Sequence, residues 1–297
     1  MKANFKTKLL LSTAAAVVLI PVGNAVNVSW TGSGATDDWN DTANWNQTYA
    51  PGGNGTIDNA IFSGAGDNNT PTASFNYTVA SDFNFRNEAT LTLQSGVTIS
   101  NIRNGRLGGN ANNGGGHIIQ TGGTLSGTTI LVASSPTAST RSTHTMSGGA
   151  VTLTGQYDVN TLGDVILTGS SASVSAGSID FSGASTLTFN FASSGIGSFS
   201  APGAFNAAAT STMTINVGDY TPILGESFTL VDAGTLTGFD AANITVNGFG
   251  TAGIDYSLTQ DLGSNGNIVL SVIPEPSAAA LLGLGLSGLL LRRRRMI

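Results

Sequence analysis

Three observations predict an all-β fold built as a solenoid. Between residues 75 and 199, short runs of Val, Ile, Leu and Thr alternate with Gly, Ser and Asn turns, the pattern of many short strands. Two pieces of that region align, IQTGGTL at 119–125 and TMSGGAV at 145–151, which sets Gly122-Gly123 and Gly148-Gly149 in equivalent places. Weaker echoes follow at Leu167-Thr168-Gly169 and Ser182-Gly183; imperfect periods in the twenties suit stacked coils. The composition agrees: 40 glycines, no cysteine and only 9% charged residues in 297. The expected architecture is a parallel β-helix-like β-solenoid body with an N-terminal aromatic cap, a C-terminal β unit and a single C-terminal transmembrane-type helix. The rival is a β-sandwich with long loops.

Taken in order, residues 1–25 read as an export signal. Lys2, Lys6 and Lys8 make a positive start, residues 9–22 an apolar run broken by Pro21, and Gly23-Asn24-Ala25 the small residues that a signal peptidase reads, which predicts cleavage after Ala25. Residues 26–74 hold all three tryptophans, Trp30, Trp39 and Trp45. An open β-stack needs its first rung covered, and large aromatics do that; the alternative is an aromatic platform for sugar rings. Residues 75–200 carry the repeats. Ala201-Pro202-Gly203 marks the expected boundary before residues 204–272, whose strands are longer and more aromatic. Residues 274–297 hold Pro274-Glu275-Pro276, an uncharged run over 278–291 and Arg292, Arg293, Arg294 and Arg295. At ~1.5 Å per residue a helix over that run reaches about 21 Å, and snorkelling arginines with local bilayer thinning close the gap to a ~30 Å hydrocarbon core. The arginines then act as a stop on the cytoplasmic side.

Charge is distributed unevenly. Seven of the eleven basic residues lie in the two terminal segments. From 26 to 273 the bases are Arg86, Arg103, Arg106 and Arg141 against sixteen acids, about −12 for the body. That argues against nucleic acid as a partner and in favour of a neutral exopolysaccharide over an acidic one. Without cysteine there are no disulfides, thiolate metal sites or Cys nucleophiles.

Sequence motifs that carry chemistry are sparse. No G-x-S-x-G elbow, H-E-x-x-H motif or P-loop is present, and the expectation is a protein that is not an enzyme, with no catalytic residue and no metal or other cofactor assigned. Asp37, Asp38 and Asp41, with Asn40 and Asn44, offer oxygens for a calcium ion, but their spacing is not that of an EF-hand and a solvated turn is the preferred reading. His117 and His144 are separated by close to one repeat and are expected at the surface. Asp158, Asp164 and Asp180 fall in the repeats, and no Asp cluster adjoins Arg141 in sequence. Thr-x-Thr triplets recur, as at Thr90/Thr92, Thr186/Thr188 and Thr212/Thr214; their irregular spacing argues against a continuous ladder.

Two resemblances add to this reading. The W-x-G…W…N-W block opening at Trp30 resembles the start of bacterial proteins with autotransporter-like β-helical repeats. Pro274-Glu275-Pro276, the apolar run and the closing arginines resemble the PEP-CTERM sorting signal of exported bacterial proteins. That resemblance is confined to the C-terminal segment, 274–297. It implies an exosortase-type processing enzyme as partner, membrane attachment through the tail, and then residence at the cell surface or in an extracellular matrix. It also implies an export system linked to exopolysaccharide or biofilm. A structural or adhesive role is the expectation for the body, with a glycan-binding module or polysaccharide-active enzyme on the same scaffold as the alternative.

Overall fold

The computed structural model describes residues 26–51, 58–62, 70–74, 76–78, 82–108, 114–134, 140–253 and 255–273. Ala25, the Pro274-Glu275-Pro276 motif and Arg292 to Arg295 lie outside the described residues, as does the predicted C-terminal helix. The described residues form twenty strands and two short 3-10 turns, with no α-helix. The body is a parallel β-solenoid of about 5 turns.

Each coil contributes one strand, or one stretch of a longer strand, to each of three parallel sheets. The regular coils run from Ala89–Leu93 with Thr98–Leu107, through Gly116–Val132, then Ser142–Leu153 with Gln156–Val159, then Gly163–Thr168 with Ala172–Ser175 and Ser178–Phe181, to Thr186–Asn190 with Ser198–Ala207. Gly116–Val132 crosses all three sheets, turning first between Thr121 and Thr124 and again near Gly127, where the register slips between Ile99 and Ile102 on the neighbouring strand. The pairing is in register from coil to coil. In the first sheet Leu91, Ile118, His144, Val165, Leu187 and Met213 stack inward. In the second, Tyr77, Ile99, Leu125, Val151, Val174, Phe199 and Val231 do so. In the third, Phe62, Phe85, Leu107, Val132, Val159, Phe181 and Ala207 do so. All of these are buried. Strict alternation along each strand sends one residue into this column and the next outward, which is why a short strand suffices per sheet. At about 1.5–3 kcal/mol for each large apolar side chain withdrawn from water, the three columns supply the main stabilising term of a chain that has no disulfide.

Both ends of the stack are closed. At the start, Val26–Ser29 pairs with Asp58–Phe62, and the intervening loop folds Trp39 and Trp45 onto Phe62 with ring centroids 5.1 and 5.3 Å away. Trp30 meets Trp45 edge-on at 5.1 Å, the Trp45 indole N–H donates to the Trp39 carbonyl at 2.7 Å, and Phe62 stacks flat on Phe85 at 4.2 Å. At the far end, Thr212–Asn216 and Ser227–Thr237 continue the parallel stack and Ile244–Asn247 adds a further strand to the first sheet. Gly263–Val272 then pairs antiparallel with Ser227–Thr237, and Tyr256–Asp261 with Gly263–Val272. The antiparallel hairpin occupies an edge that would otherwise present a row of unpaired backbone groups.

Stacking also crosses the boundary expected at Ala201-Pro202-Gly203. Those residues lie inside Ser198–Ala207, where the register slips between Ala201 and Ala204 and resumes. The Pro-Gly pair is a corner between the second and third sheets, because proline and glycine fit a bend in a strand as well as a break between domains.

Two glycines separate backbone strain from crowding. Gly96 has φ +82° with open space where a Cβ would stand, whereas a Cβ on Gly149, φ +85°, would lie 2.4 Å from the Gly123 carbonyl oxygen. We expect Gly96→Ala to cost about 1–2 kcal/mol from the left-handed backbone alone. Gly149→Ala should cost ~3 kcal/mol or more, since it also wedges one coil from the next. Denaturant unfolding of the two variants checks the order.

Candidate functional site

Two acids of the opening block, Asp38 and Asp41, are committed to its own turns, whereas Asp37 Oδ1 is buried without a hydrogen-bond partner among the described residues. Asp38 Oδ1 accepts from the Asn40 amide at 2.9 Å and from Ser74 Oγ at 2.7 Å. Asp41 caps the 3-10 turn Thr42–Asn44 by accepting from the Ala43 amide. Buried Asn44 accepts from the Gly34 amide and donates to the carbonyls of Thr36 and Asp38. Short polar side chains satisfy turn backbone in this way, which accounts for the density of Asp and Asn here. Among the described residues no group of three His, Asp or Glu side chains converges as a metal ligand set. The tryptophans, at 6%, 0% and 4% exposure for Trp30, Trp39 and Trp45, present no ring face to a sugar.

The two histidines part company. His117 pairs in register with Thr143, and Ile118 with His144, so the separation of the histidines runs one position beyond a full coil. A one-position offset in a strand reverses the facing of a side chain. His117 therefore points outward, as expected, while His144 is fully buried, which corrects the surface placement expected for it. His144 sits in an internal polar trio, with Nδ1 2.8 Å from Tyr157 Oη and Nε2 3.3 Å from Gln120 Oε1. Gln120 Nε2 donates to the carbonyls of Gly123 and Ala150, which leaves its oxygen facing the ring. The network thus selects the Nε2–H tautomer of His144, with the Tyr157 hydroxyl donating to Nδ1. Burial pushes the His144 pKa down to about 3 and raises that of Tyr157 above its ordinary value, so both stay neutral.

On the outer face of the first sheet the stack assembles contacts invisible in sequence. Glu88 Oε2 lies 2.8 Å from His117 Nε2, and His117 Nδ1 lies 2.8 Å from Thr143 Oγ1. The carboxylate–imidazole–hydroxyl order is that of a nucleophile relay, but acyl transfer also requires a recess and donors aimed at an oxyanion. Recesses lined by described residues occur at the second-to-third sheet corner and at the closing end. Arg141 forms a two-pronged ion pair with Asp164, which also accepts from Thr186 Oγ1. Asp164 was hidden as the partner of Arg141 because it stands one coil away. On the third sheet Asp158 and Asp180 are directly paired on adjacent coils. Desolvation, then the neighbouring Asp180, pushes the Asp158 pKa up to about 6. Burial raises that of Asp180 as well.

The threonines form the most regular surface. Thr72, Thr92, Ile119, Thr145, Ile166, Thr188, Thr214 and Thr245 pair one onto the next as an unbroken outward rank of β-branched residues. The step along the chain is far shorter from Thr145 to Ile166 than from Thr214 to Thr245, yet the register holds. Corners absorb the variation and keep the file in register, but Ile119 and Ile166 interrupt its threonines, so it is not a continuous threonine ladder. A parallel file of amides runs beside it: Asn247 Nδ2 donates to Asn216, Asn216 to Asn190, and Asn190 to Thr168 Oγ1.

The body ends where a recognised segment begins. Val272 closes the last strand, and residues 272–295 match the family model described as the PEP-CTERM protein-sorting motif. The chain carries a PEP-CTERM sorting signal. A search of curated proteins and one of solved structures returned no match to the chain. The PEP-CTERM motif marks the protein for export, membrane anchoring through its tail and exosortase processing, with a surface or extracellular destination. Among the described residues no helix is long and apolar enough to cross a membrane; the PEP-CTERM tail lies outside them.

The Asp158 shift predicts a pH signature. A carboxyl whose folded pKa is raised binds its proton more tightly in the native state, so its ionisation erodes stability as pH rises from about 4 through about 6. Asp158→Asn should therefore match the parent below pH ~4 and exceed it at neutral pH by about 1 kcal/mol, after discounting the shift for solvent screening at a half-buried site. Buried His144 acts oppositely, favouring the native state more as pH rises from about 3 towards its ordinary 6.5. Denaturation midpoints between pH 4 and 7 should accordingly rise more steeply in Asp158→Asn than in the parent.

Proposed function

We propose that the body is a non-enzymatic, extracellular rod that the PEP-CTERM tail delivers to the cell surface or matrix, where it serves a structural or adhesive role. The observation that carries this reading is the direct junction at Val272 between a closed, in-register β-solenoid and the sorting motif. Three further features support it. The outward ranks present uncharged side chains, threonines interrupted by Ile119 and Ile166 in one and the Asn190, Asn216 and Asn247 amides in the other. The body's charge of about −12 suits solubility and disfavours acidic polymers. Continuous backbone pairing withstands proteolysis because local opening must break contacts with two neighbouring coils.

A neutral exopolysaccharide is the proposed matrix partner. A shallow recess at the corner between the second and third sheets is lined by Asn101, Arg103, Ser126, Thr128, Thr152 and Thr154, spanning successive coils. Its hydroxyl and amide groups suit sugar hydroxyls, while Arg103 is tied to Asp82 at 2.9 Å. Residues 1–25 act in this scheme as a signal peptide cleaved after Ala25.

Deleting residues 274–297 provides the test. The full chain should be recovered at the surface or in the matrix with a shortened C-terminus, and the deletion variant should accumulate as a soluble exported product. Equal surface retention of both would defeat the sorting role of the tail, and cytosolic recovery of both would defeat export.

A further inference from the structure

Large apolar side chains standing exposed among the described residues are Val26, Ile119, Ile223, Leu224 and Leu262. Only Ile223 and Leu224 adjoin one another, at 63% and 61% exposure. They form the tip of the turn that leads into Ser227–Thr237, and the turn is firmly built. Glu226 Oε2 accepts from Tyr220 Oη at 2.6 Å and from the Ile223 amide at 3.0 Å, the Glu226 amide donates to the Ile223 carbonyl at 3.0 Å, and Gly225 takes φ +83°. Two apolar side chains are thus held out into solvent by a braced loop.

The place of this turn is informative. The Gly225 amide donates to the Val272 carbonyl at 3.0 Å, and the Val272 amide donates to the Glu226 carbonyl at 2.9 Å. Val272 is the first residue of the sorting motif, and Tyr256 pairs with it from the other side. The uncharged run of the tail starts at Ala278, a short step after Ile273. At ~3.3–3.6 Å per residue, the chain between them reaches at most about 18 Å. A body tethered that closely, with its apolar turn fastened to the root of the tether, brings Ile223 and Leu224 to the bilayer surface. Asp219 and Asp255 stand near the turn, so lipids with uncharged headgroups fit better than anionic ones.

We propose that the Ile223–Leu224 turn is a second membrane contact, seated in the interfacial zone of a bilayer of uncharged lipids beside the entry point of the tail. It rests on the membrane-anchoring reading of the PEP-CTERM segment, and it adds an orientation: the Val272 edge of the closing end is turned to the membrane, and the Leu262 edge is held away from it.

The test uses the full chain reconstituted into phosphatidylcholine vesicles, with Leu224→Trp as a depth probe and lipids brominated on the acyl chain as quenchers. The native tryptophans are buried at the opposite end and form a constant background. Leu262→Trp is the control, because Leu262 is equally exposed at 61% but lies at the far end of Gly263–Val272, about 30 Å away along the strand. Both variants should float with the vesicles, and bromolipid should reduce the Leu224→Trp probe emission about threefold or more relative to Leu262→Trp, as shallow insertion of ~5–10 Å requires. Flotation with equal, weak quenching of the two probes would overturn the contact while leaving tail anchoring intact. Failure of both variants to float would overturn anchoring and the contact together. Slower tail processing in an Ile223→Ser/Leu224→Ser variant, with the Leu224→Trp probe unquenched, would assign the turn to the processing enzyme and also overturn the proposal.

Discussion

In-register parallel stacking is the constraint on which this molecule depends. No coil can satisfy its backbone or bury its inner side chains alone; each amide and carbonyl of a strand looks to the coil before and the coil after. Leu91, Ile118, His144, Val165, Leu187 and Met213 illustrate the consequence, since each is buried only because the next lies on it. Even the polar exception obeys the rule: His144 is tolerated because Gln120, one coil earlier, and Tyr157, later in its own coil, satisfy both ring nitrogens.

Register also governs what the outside can present. The corners lengthen and shorten freely, as the unequal steps of the threonine rank show, while the strands between them stay aligned. Added loop length costs little free energy and strand slippage costs much, because a slip of one position exchanges core for surface. Features far apart in the chain therefore meet as files on the surface: the threonine rank, the Asn190–Asn216–Asn247 ladder, the Asp158–Asp180 pair and the Arg141–Asp164 ion pair.

The two ends have different work. Aromatic mass at Trp30, Trp39 and Trp45 covers the first rung, and an antiparallel hairpin covers the last. The hairpin's final residue, Val272, is both the end of the fold and the start of the PEP-CTERM motif. Closure of the fold and the start of the sorting signal thus meet at one residue.

Much of this was legible in the chain itself. The alternation of β-branched residues with glycine corners, and the equivalent placement of Gly122-Gly123 and Gly148-Gly149, specified a stack of short strands, because those signals are local. The Pro274-Glu275-Pro276 motif and its arginines were legible for the same reason: a sorting signal is read as a linear segment. Facing and partnership were not. That His117 looks out and His144 looks in follows from a single step of register, and only the neighbouring coil sets that register. Thr-x-Thr triplets that look scattered along the chain become a file for the same reason, and Pro202-Gly203 becomes a corner instead of a boundary. Sequence determined the repeating unit and the address; tertiary structure decided which residues meet, because those contacts lie between successive coils, too far apart along the chain for any local pattern to record them.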